Sequence, residues 1–322
     1  MTQTRIESGL LDAFDVRGPC AVVTDSNVAY LYGECIAKRL GCPLIVFPAG
    51  EGSKTRETKH QIEDALQAHE LGADATLIAL GGGVVCDLGG FVSATYCRGI
   101  DLVLIPTTLT AMCDAAIGGK NGVNIGNAKN AIGTVYYPKC LFIDPEVLTT
   151  LPQEEYLSGT AEMLKHGLIW KKKLWEELGA YYADWEKRDP LRLQRWIAWN
   201  IQIKLEIIDQ GRRDYLNFGH TIGHAVEMMT RMSHGEAVAI GMWYESLWGM
   251  GYSQEIFDGL SRFGFDLTLP NFPLDELWRV MQYDKKKRAD ILYAVAIDSI
   301  GHCSGLKEMT RDDLCTCCSR QT

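Results

Sequence analysis

Five apolar runs of strand length fall before residue 148, and helical stretches separate them. The runs are CAVVTD at 20–25, CPLIVFP at 42–48, ATLIALGG at 75–82, DLVLIPT at 101–107 and CLFID at 140–144. NVAYLYGECIAKRL and SKTRETKHQIEDALQAHEL, between them, have helical spacing. Such alternation predicts a parallel, doubly wound sheet, because parallel neighbours need a crossover connection, usually a helix. After residue 148 helical periodicity dominates, from PQEEYLSGTAEMLKHGLI through DPLRLQRWIAWNIQIKLEIID to HGEAVAIGMWYESLWGMGY. The Trp and Met residues there read as core. A last strand signal is ILYAVAID at 291–298. The expected organisation is an α/β parallel-sheet domain over 1–148 and a mainly α-helical domain over 149–322.

The run ATLIALGG leads into GGGVVCDLGG at 81–90. Glycines between a strand and a helix let backbone N–H groups approach a phosphate. A glycine triplet also serves an ordinary tight turn. Here Asp87 follows at the start of a helix, and VVTDSNV at 22–28 closes another strand with polar residues. Together they predict a nucleotide site at the carboxyl ends of parallel strands.

The helical half carries GTAEMLKHG at 159–167 and LNFGHTIGHAVEMMTRMSHG at 216–235. His220 and His224 stand one helical turn apart and share a face, and His234 follows. With Glu162 they supply His and carboxylate donors, which suit zinc; a catalytic zinc takes three protein ligands and keeps one position open. A histidine pair at this spacing also serves as satisfied polar residues at a helix packing seam. His166, in the upstream segment, enlarges the cluster.

A third cluster, PTTLTAMCDAAIGGKNGVN at 106–124 and NAKNAIGTVYYP at 127–138, sets Asp114, Lys120, Asn124, Lys129 and Asn130 among small residues. Lysines in such a setting suit bound phosphate or carboxylate; the alternative is a solvated surface loop. Further cationic candidates are Arg98 in TYCRG, Lys165, Lys204, Arg213 and the DKKK run at 284–287.

Bulk properties narrow the class. A net charge of −9 argues against nucleic acid as partner, so an anionic substrate needs a local cationic pocket. No apolar run approaches the ~20 residues that span a bilayer. MTQTRIESGL lacks the basic and apolar regions of a signal peptide. The eleven cysteines are scattered except for the terminal CTCC. These features predict a reduced, cytoplasmic protein. The tail bearing Cys315, Cys317 and Cys318 fits no four-ligand zinc spacing and reads as frayed.

Over roughly residues 6–300 the chain resembles the dehydroquinate synthases of the sugar phosphate cyclase family. The resemblance rests on PAGEGSKT, GGGVVCDLGGFVSATYCRGI, PTTLTAMCDAAIGGKNGVN, KNAIG, GTAEMLKHG, LNFGHTIGHAVE and HGEAVAIGM, in this order. It implies an NAD-binding α/β domain followed by a helical domain that binds the metal, zinc or cobalt, and the substrate. It also implies a homodimer acting on a small sugar phosphate, 3-deoxy-arabino-heptulosonate 7-phosphate, with 3-dehydroquinate and phosphate as products. That reaction belongs to the shikimate route to aromatic amino acids.

By motif, the metal ligands implied are Glu162, His220 and His234, with His224 facing the reacting hydroxyls or the phosphate. The NAD site implied comprises Asp25, Asn27, Glu51, Lys54, Gly82, Gly83, Val84, Asp87, Thr107, Thr108, Lys120, Lys129 and Thr150. The substrate pocket implied uses Asp114, Lys120, Asn130, Lys165, Lys204, Arg213, Asn217 and the lysines Lys285 and Lys286. Arg98 would hold phosphate, from the partner subunit of the dimer. Cys86 stands where the family has glycine and Asn121 where it has threonine. The links between Lys204 and Arg213 and between His220 and His234 are shorter than the family's. Alternatives are an inosose or valiolone synthase, which would share the NAD and metal motifs, and a metal-dependent glycerol dehydrogenase. Arg213, Asn217 and the DKKK lysines, as carboxylate-binding candidates, favour the dehydroquinate synthase reading. A non-catalytic binding protein is disfavoured because no expected ligand is missing.

Overall fold

Strand β4 (Thr76–Gly81) is buried at every position. A strand covered on both faces has no reason to alternate, which explains the unbroken apolar run. It lies inside a six-stranded sheet with β1 (Gln3–Ile6), β2 (Cys20–Asp25), β3 (Leu44–Phe47), β5 (Asp101–Pro106) and β8 (Cys140–Ile143). The order is β1-β8-β5-β4-β2-β3, and every pairing is parallel. The chain runs from β2 to one side and returns through β4 on the other. That reversal is the switch point where a crevice opens at strand carboxyl ends. The five strands expected from the sequence all appear; β1, QTRI, is a sixth that carries no apolar run. The structure is a computed structural model that describes residues 2–126, 128–230, 232–282 and 291–319.

The chain divides into two compact units, Met1–Leu151 with Pro190–Ile201, and Pro152–Asp189 with Gln202–Thr322. The helix Pro190–Asp209 therefore contributes to both. The first unit also holds an antiparallel hairpin, β6 (Lys120–Ile125) and β7 (Ala128–Val135). In sequence this segment shows only its glycines and ligand-type side chains. Asn121, the departure from threonine, has a structural role here: its Oδ1 accepts from the backbone N–H and hydroxyl of its cross-strand partner Thr134, at 3.2 and 2.6 Å.

The second unit is built from the helices Gln153–Ile169, Lys172–Ala180, His220–Met229 and His234–Gly249, with an antiparallel hairpin β9 (Tyr293–Ser299) and β10 (His302–Glu308). Trp175, Trp185 and Trp243 are buried, as expected for core residues, while Met228 is exposed. The tail expected to fray instead forms a helix, Arg311–Ser319, that buries Leu314 and Cys317. Two apolar positions three residues apart are enough to dock one face of a short helix.

The two histidine-bearing helices cross at glycines. A Cβ on Gly241 would lie 1.8 Å from the carbonyl oxygen of Gly219, and one on Gly223 would lie 2.8 Å from that of Ala237. No rotamer change relieves a clash against backbone, so one helix would have to move. Gly241→Ala is expected to cost about 1–3 kcal/mol, the range for overpacking a filled core, read as a fall in the thermal midpoint. An unchanged midpoint would show that the crossing has room for a methyl group.

Candidate active site

In the first unit the polar ends of β2, β4 and β5 carry the expected nucleotide residues. Asp25 ends β2, and its Oδ1 accepts from the N–H groups of Asn27 and Val28, at 2.9 and 3.1 Å. Gly82 then opens the helix Gly83–Thr95, which includes Val84 and Asp87, with no side chain capping it. An uncapped helix start carries orphan N–H groups and the positive end of the helix dipole, a cradle that suits a phosphate. A Cβ on Gly82 would meet Thr108 Cγ2 at 3.1 Å, so the turn is closely packed. Thr107, buried, donates its N–H to Gly81 O at 2.9 Å, and Thr108 Oγ1 accepts from Ala111 N at 3.1 Å.

Beneath the glycine turn, Lys54 and Asp87 form a largely buried ion pair. Burial pushes the Asp87 carboxyl up, Lys54 opposes the rise, and the nearby Glu51 and Asp114 add to it. Those four expected residues are thus gathered in one region. Asn124 ties Glu51 to one further expected residue: its Nδ2 donates to Glu51 Oε1 at 2.7 Å, and its Oδ1 accepts from Asn130 N at 2.7 Å. Asn130 holds a left-handed backbone, φ 51°. Lys120 and Lys129 are exposed on the hairpin. Thr150 is bonded to Tyr32 through its hydroxyl at 2.8 Å. Arg98 is exposed, with φ 65° beside Cys97 at φ 49°. Cys86, in place of glycine, is buried, and burial pushes its thiol up, so it packs as a small apolar residue.

In the second unit three helices bring together Glu162, His220 and His234. Their donor atoms lie within 4.8 Å of one another. His220 Nε2 is 3.4 Å and His234 Nε2 3.6 Å from the same Glu162 Oε1. The other ring nitrogens are occupied. His220 Nδ1 lies 3.0 Å from Phe218 O, which can only accept, so Nδ1 carries the proton. His234 Nδ1 lies 3.1 Å from Glu227 Oε2. Both rings therefore aim Nε2 at Glu162, as metal-binding histidines do when a carbonyl or carboxylate fixes the tautomer. Local structure explains the placement: Ser233 and Glu236 form a capping box that starts the helix His234–Gly249 at His234.

The electrostatics are tightly set. Burial alone would raise Glu162, yet Lys165 and the two histidines hold it well below the usual carboxylate range. Burial, helped by Lys165, pushes His220 down to about 4. Burial also lowers His234, but hydrogen bonds to Glu162 and Glu227 outweigh it and bring the group to about 9. Lys165 is buried and paired with Glu162. An ionised carboxylate beside a neutral imidazole is the donor chemistry a divalent cation requires, so these residues fit a metal.

His224 is outside this trio but forms a second group with Glu227 and His234. Lys204 is buried on its helix, and Arg213 and Asn217 lie in the short turn Arg213–Asn217 that leads into Gly219 and His220. Lys285 and Lys286 lie outside the described residues. Sequence reasoning missed Glu227. The available signal was its spacing, three residues past His224 on one helix face.

A parallel sheet with its switch point at a glycine turn, and a helical unit presenting one carboxylate and two histidines, are the parts of an enzyme that uses a nucleotide cofactor and a divalent metal. Residues 44–158 match the profile described as 3-dehydroquinate synthase N-terminal, and residues 159–287 match 3-dehydroquinate synthase C-terminal. A 3-dehydroquinate synthase of Thermoanaerobacter pseudethanolicus is 39% identical over 300 residues, covering 87% of this chain and 84% of that protein. The chain belongs to the 3-dehydroquinate synthase family. Among solved structures, a 2-epi-5-epi-valiolone synthase from Streptomyces hygroscopicus subsp. jinggangensis, with NAD+ and Zn2+ bound, aligns with a TM-score of 0.87 and 28% identity. That alignment covers 98% of this chain and 95% of the other. A 2-deoxy-scyllo-inosose synthase complexed with carbaglucose-6-phosphate, NAD+ and Co2+ aligns at 0.85 and 24% identity, over 99% and 96%, which shows the shared fold.

Proposed function

We propose that the chain converts 3-deoxy-D-arabino-heptulosonate 7-phosphate to 3-dehydroquinate and phosphate, the shikimate-route reaction. The convergence of Glu162, His220 and His234, in a chain of this family, carries the reading. NAD would sit on the residues at the polar ends of β2, β4 and β5, with its pyrophosphate at the Gly82–Gly83 helix start. When bound, NAD supplies a reversible hydride acceptor and the metal a Lewis acid that acidifies a substrate hydroxyl. Glu162, His220 and His234 would hold the metal through Oε1 and two Nε2 atoms. Lys165, Lys204 and Arg213 neutralise and orient the anionic substrate with Asn217 and His224, and the lysines Lys285 and Lys286 belong to the same set. Asp114, Lys120 and Asn130 are also assigned to the substrate.

Arg98 is assigned to phosphate, reaching into the partner subunit of a homodimer. Its backbone, left-handed together with Cys97, is a costly arrangement of the sort kept at functional turns. The setting assigned is cytoplasmic, where free thiols persist, with neither nucleic acid nor membrane as partner. Among the described residues no helix is long and apolar enough to cross a membrane.

The test follows phosphate release from the heptulosonate phosphate together with NADH absorbance. Withholding NAD is expected to stop release. With NAD present, no net NADH accumulates, because the same carbon is oxidised and then reduced. NADH formed in step with product would instead support a dehydrogenase. Substrate choice has its own test. Arg213 can hold a carboxylate through two parallel hydrogen bonds, and loss of such a charge-assisted contact costs ~1.5–3 kcal/mol, about tenfold to over a hundredfold in kcat/KM. Arg213→Ala is expected to penalise the heptulosonate phosphate more than an analogue lacking the carboxylate. Equal losses would remove Arg213 from carboxylate recognition.

A further inference from the structure

Glu245 lies on the helix His234–Gly249, eleven residues beyond His234 and roughly 16 Å from it along the axis. It is the one charged residue of 237–249, and it is wholly buried. Its Oε2 accepts from Gly219 N at 2.7 Å, and its Oε1 accepts from Thr221 N at 3.0 Å and Ile222 N at 3.1 Å. These are N–H groups at the start of the helix His220–Met229. That helix begins on Gly219, in a left-handed conformation with φ 78°, which has no side chain to cap it. A buried helix start must find acceptors, and a negative charge there also meets the positive end of the helix dipole. Here the acceptor comes from the neighbouring helix.

The bonds fall on both sides of one residue. Glu245 fixes the backbone at 219 and 221, while Phe218 O fixes the ring of His220 between them. The close Gly219–Gly241 contact leaves little room for the helices to slide. We infer that Glu245 is a positioning residue for the metal site: by tying the start of the His220 helix to the helix that carries His234, it sets where His220 Nε2 lies relative to the other two donors. The inference rests on the assignment of Glu162, His220 and His234 as metal ligands. The role argued here is carried by the three backbone N–H groups that Glu245 receives.

The test strips the full chain of metal and titrates it with Co2+, whose visible ligand-field bands report ligand geometry. Glu245→Gln keeps the shape but places an amide NH2 against a backbone N–H on one arm. Its Co2+ affinity is expected to fall about 10–100-fold, as when a partner that orients a ligand is lost, with the bands altered in position or intensity. Affinity within twofold of the parent and unchanged bands would overturn the inference, even if the variant melts earlier, since a purely structural role moves only the melting. His220→Ala is the parallel control. If it keeps parental Co2+ affinity, the ligand assignment fails and the inference falls with it; if it loses Co2+ while Glu245→Gln does not, only the positioning role fails. Should Glu245→Gln not fold, amide hydrogen exchange in the parent decides. Protection at Gly219, Thr221 and Ile222 rises on metal addition if the cap and the site are coupled, and unchanged protection overturns the coupling.

Discussion

Replacing His220 with alanine is expected to remove stoichiometric metal and, with it, phosphate release. A catalytic site of this type rests on three protein donors, and His220 Nε2 is one of the two nitrogens facing Glu162 Oε1. The substitution is also a cleaner probe than loss of the carboxylate. Glu162→Ala would strand the buried Lys165 ammonium, and breaking a buried pair in that way costs about 3–5 kcal/mol, so lost activity could be lost folding. His220→Ala leaves that pair intact. Metal content by atomic absorption, beside the phosphate assay, reads the outcome. Retained metal together with surviving activity would show the site to be wrongly assigned.

Metal binding is expected to expel a proton from His234, and affinity to rise about tenfold per pH unit between pH 6 and 8, roughly a hundredfold in all. In the metal-free chain His234 is raised to about 9, so it is protonated on both nitrogens through that window. The metal needs Nε2, so the proton must leave. His220, lowered to about 4, is already neutral and contributes nothing there. The sign for stability follows. A folded-state value raised above the ordinary 6.5 stabilises the metal-free fold at low pH, and that contribution is lost as pH rises through about 9. The metal-loaded form lacks this titration, so the advantage of metal over no metal grows with pH. Calorimetry at pH 7 in buffers of different ionisation enthalpy counts the proton. A count of zero would mean that His234 is neutral before metal arrives.

The parallel sheet was legible because its central strands β2, β4 and β5 are buried nearly throughout and need no alternation. The hairpin β6–β7 was not legible. Its pairing depends on glycines facing across strands: a Cβ on Gly133 would lie 1.8 Å from Asn121 O. In sequence, such glycines look like loop. The terminal helix was hidden for a related reason, since its buried positions include a cysteine, Cys317, in place of an aliphatic residue.

The histidine-bearing helices show where the two kinds of information part. The sequence by itself determined that His220 and His224 share a face, because helical spacing is local. It determined the glycine turn after β4 and the order of the motifs, and so the family. Which histidine faces Glu162 was decided by tertiary structure, because that carboxylate comes from a helix far upstream and reaches only His220 and His234 at Oε1. The tasks of Glu227 and Glu245 were decided there too. A carboxylate's role is set by the donors it meets, and these belong to His234 and to the start of another helix. Periodicity fixes which side of a helix a residue occupies; only packing fixes what waits on that side.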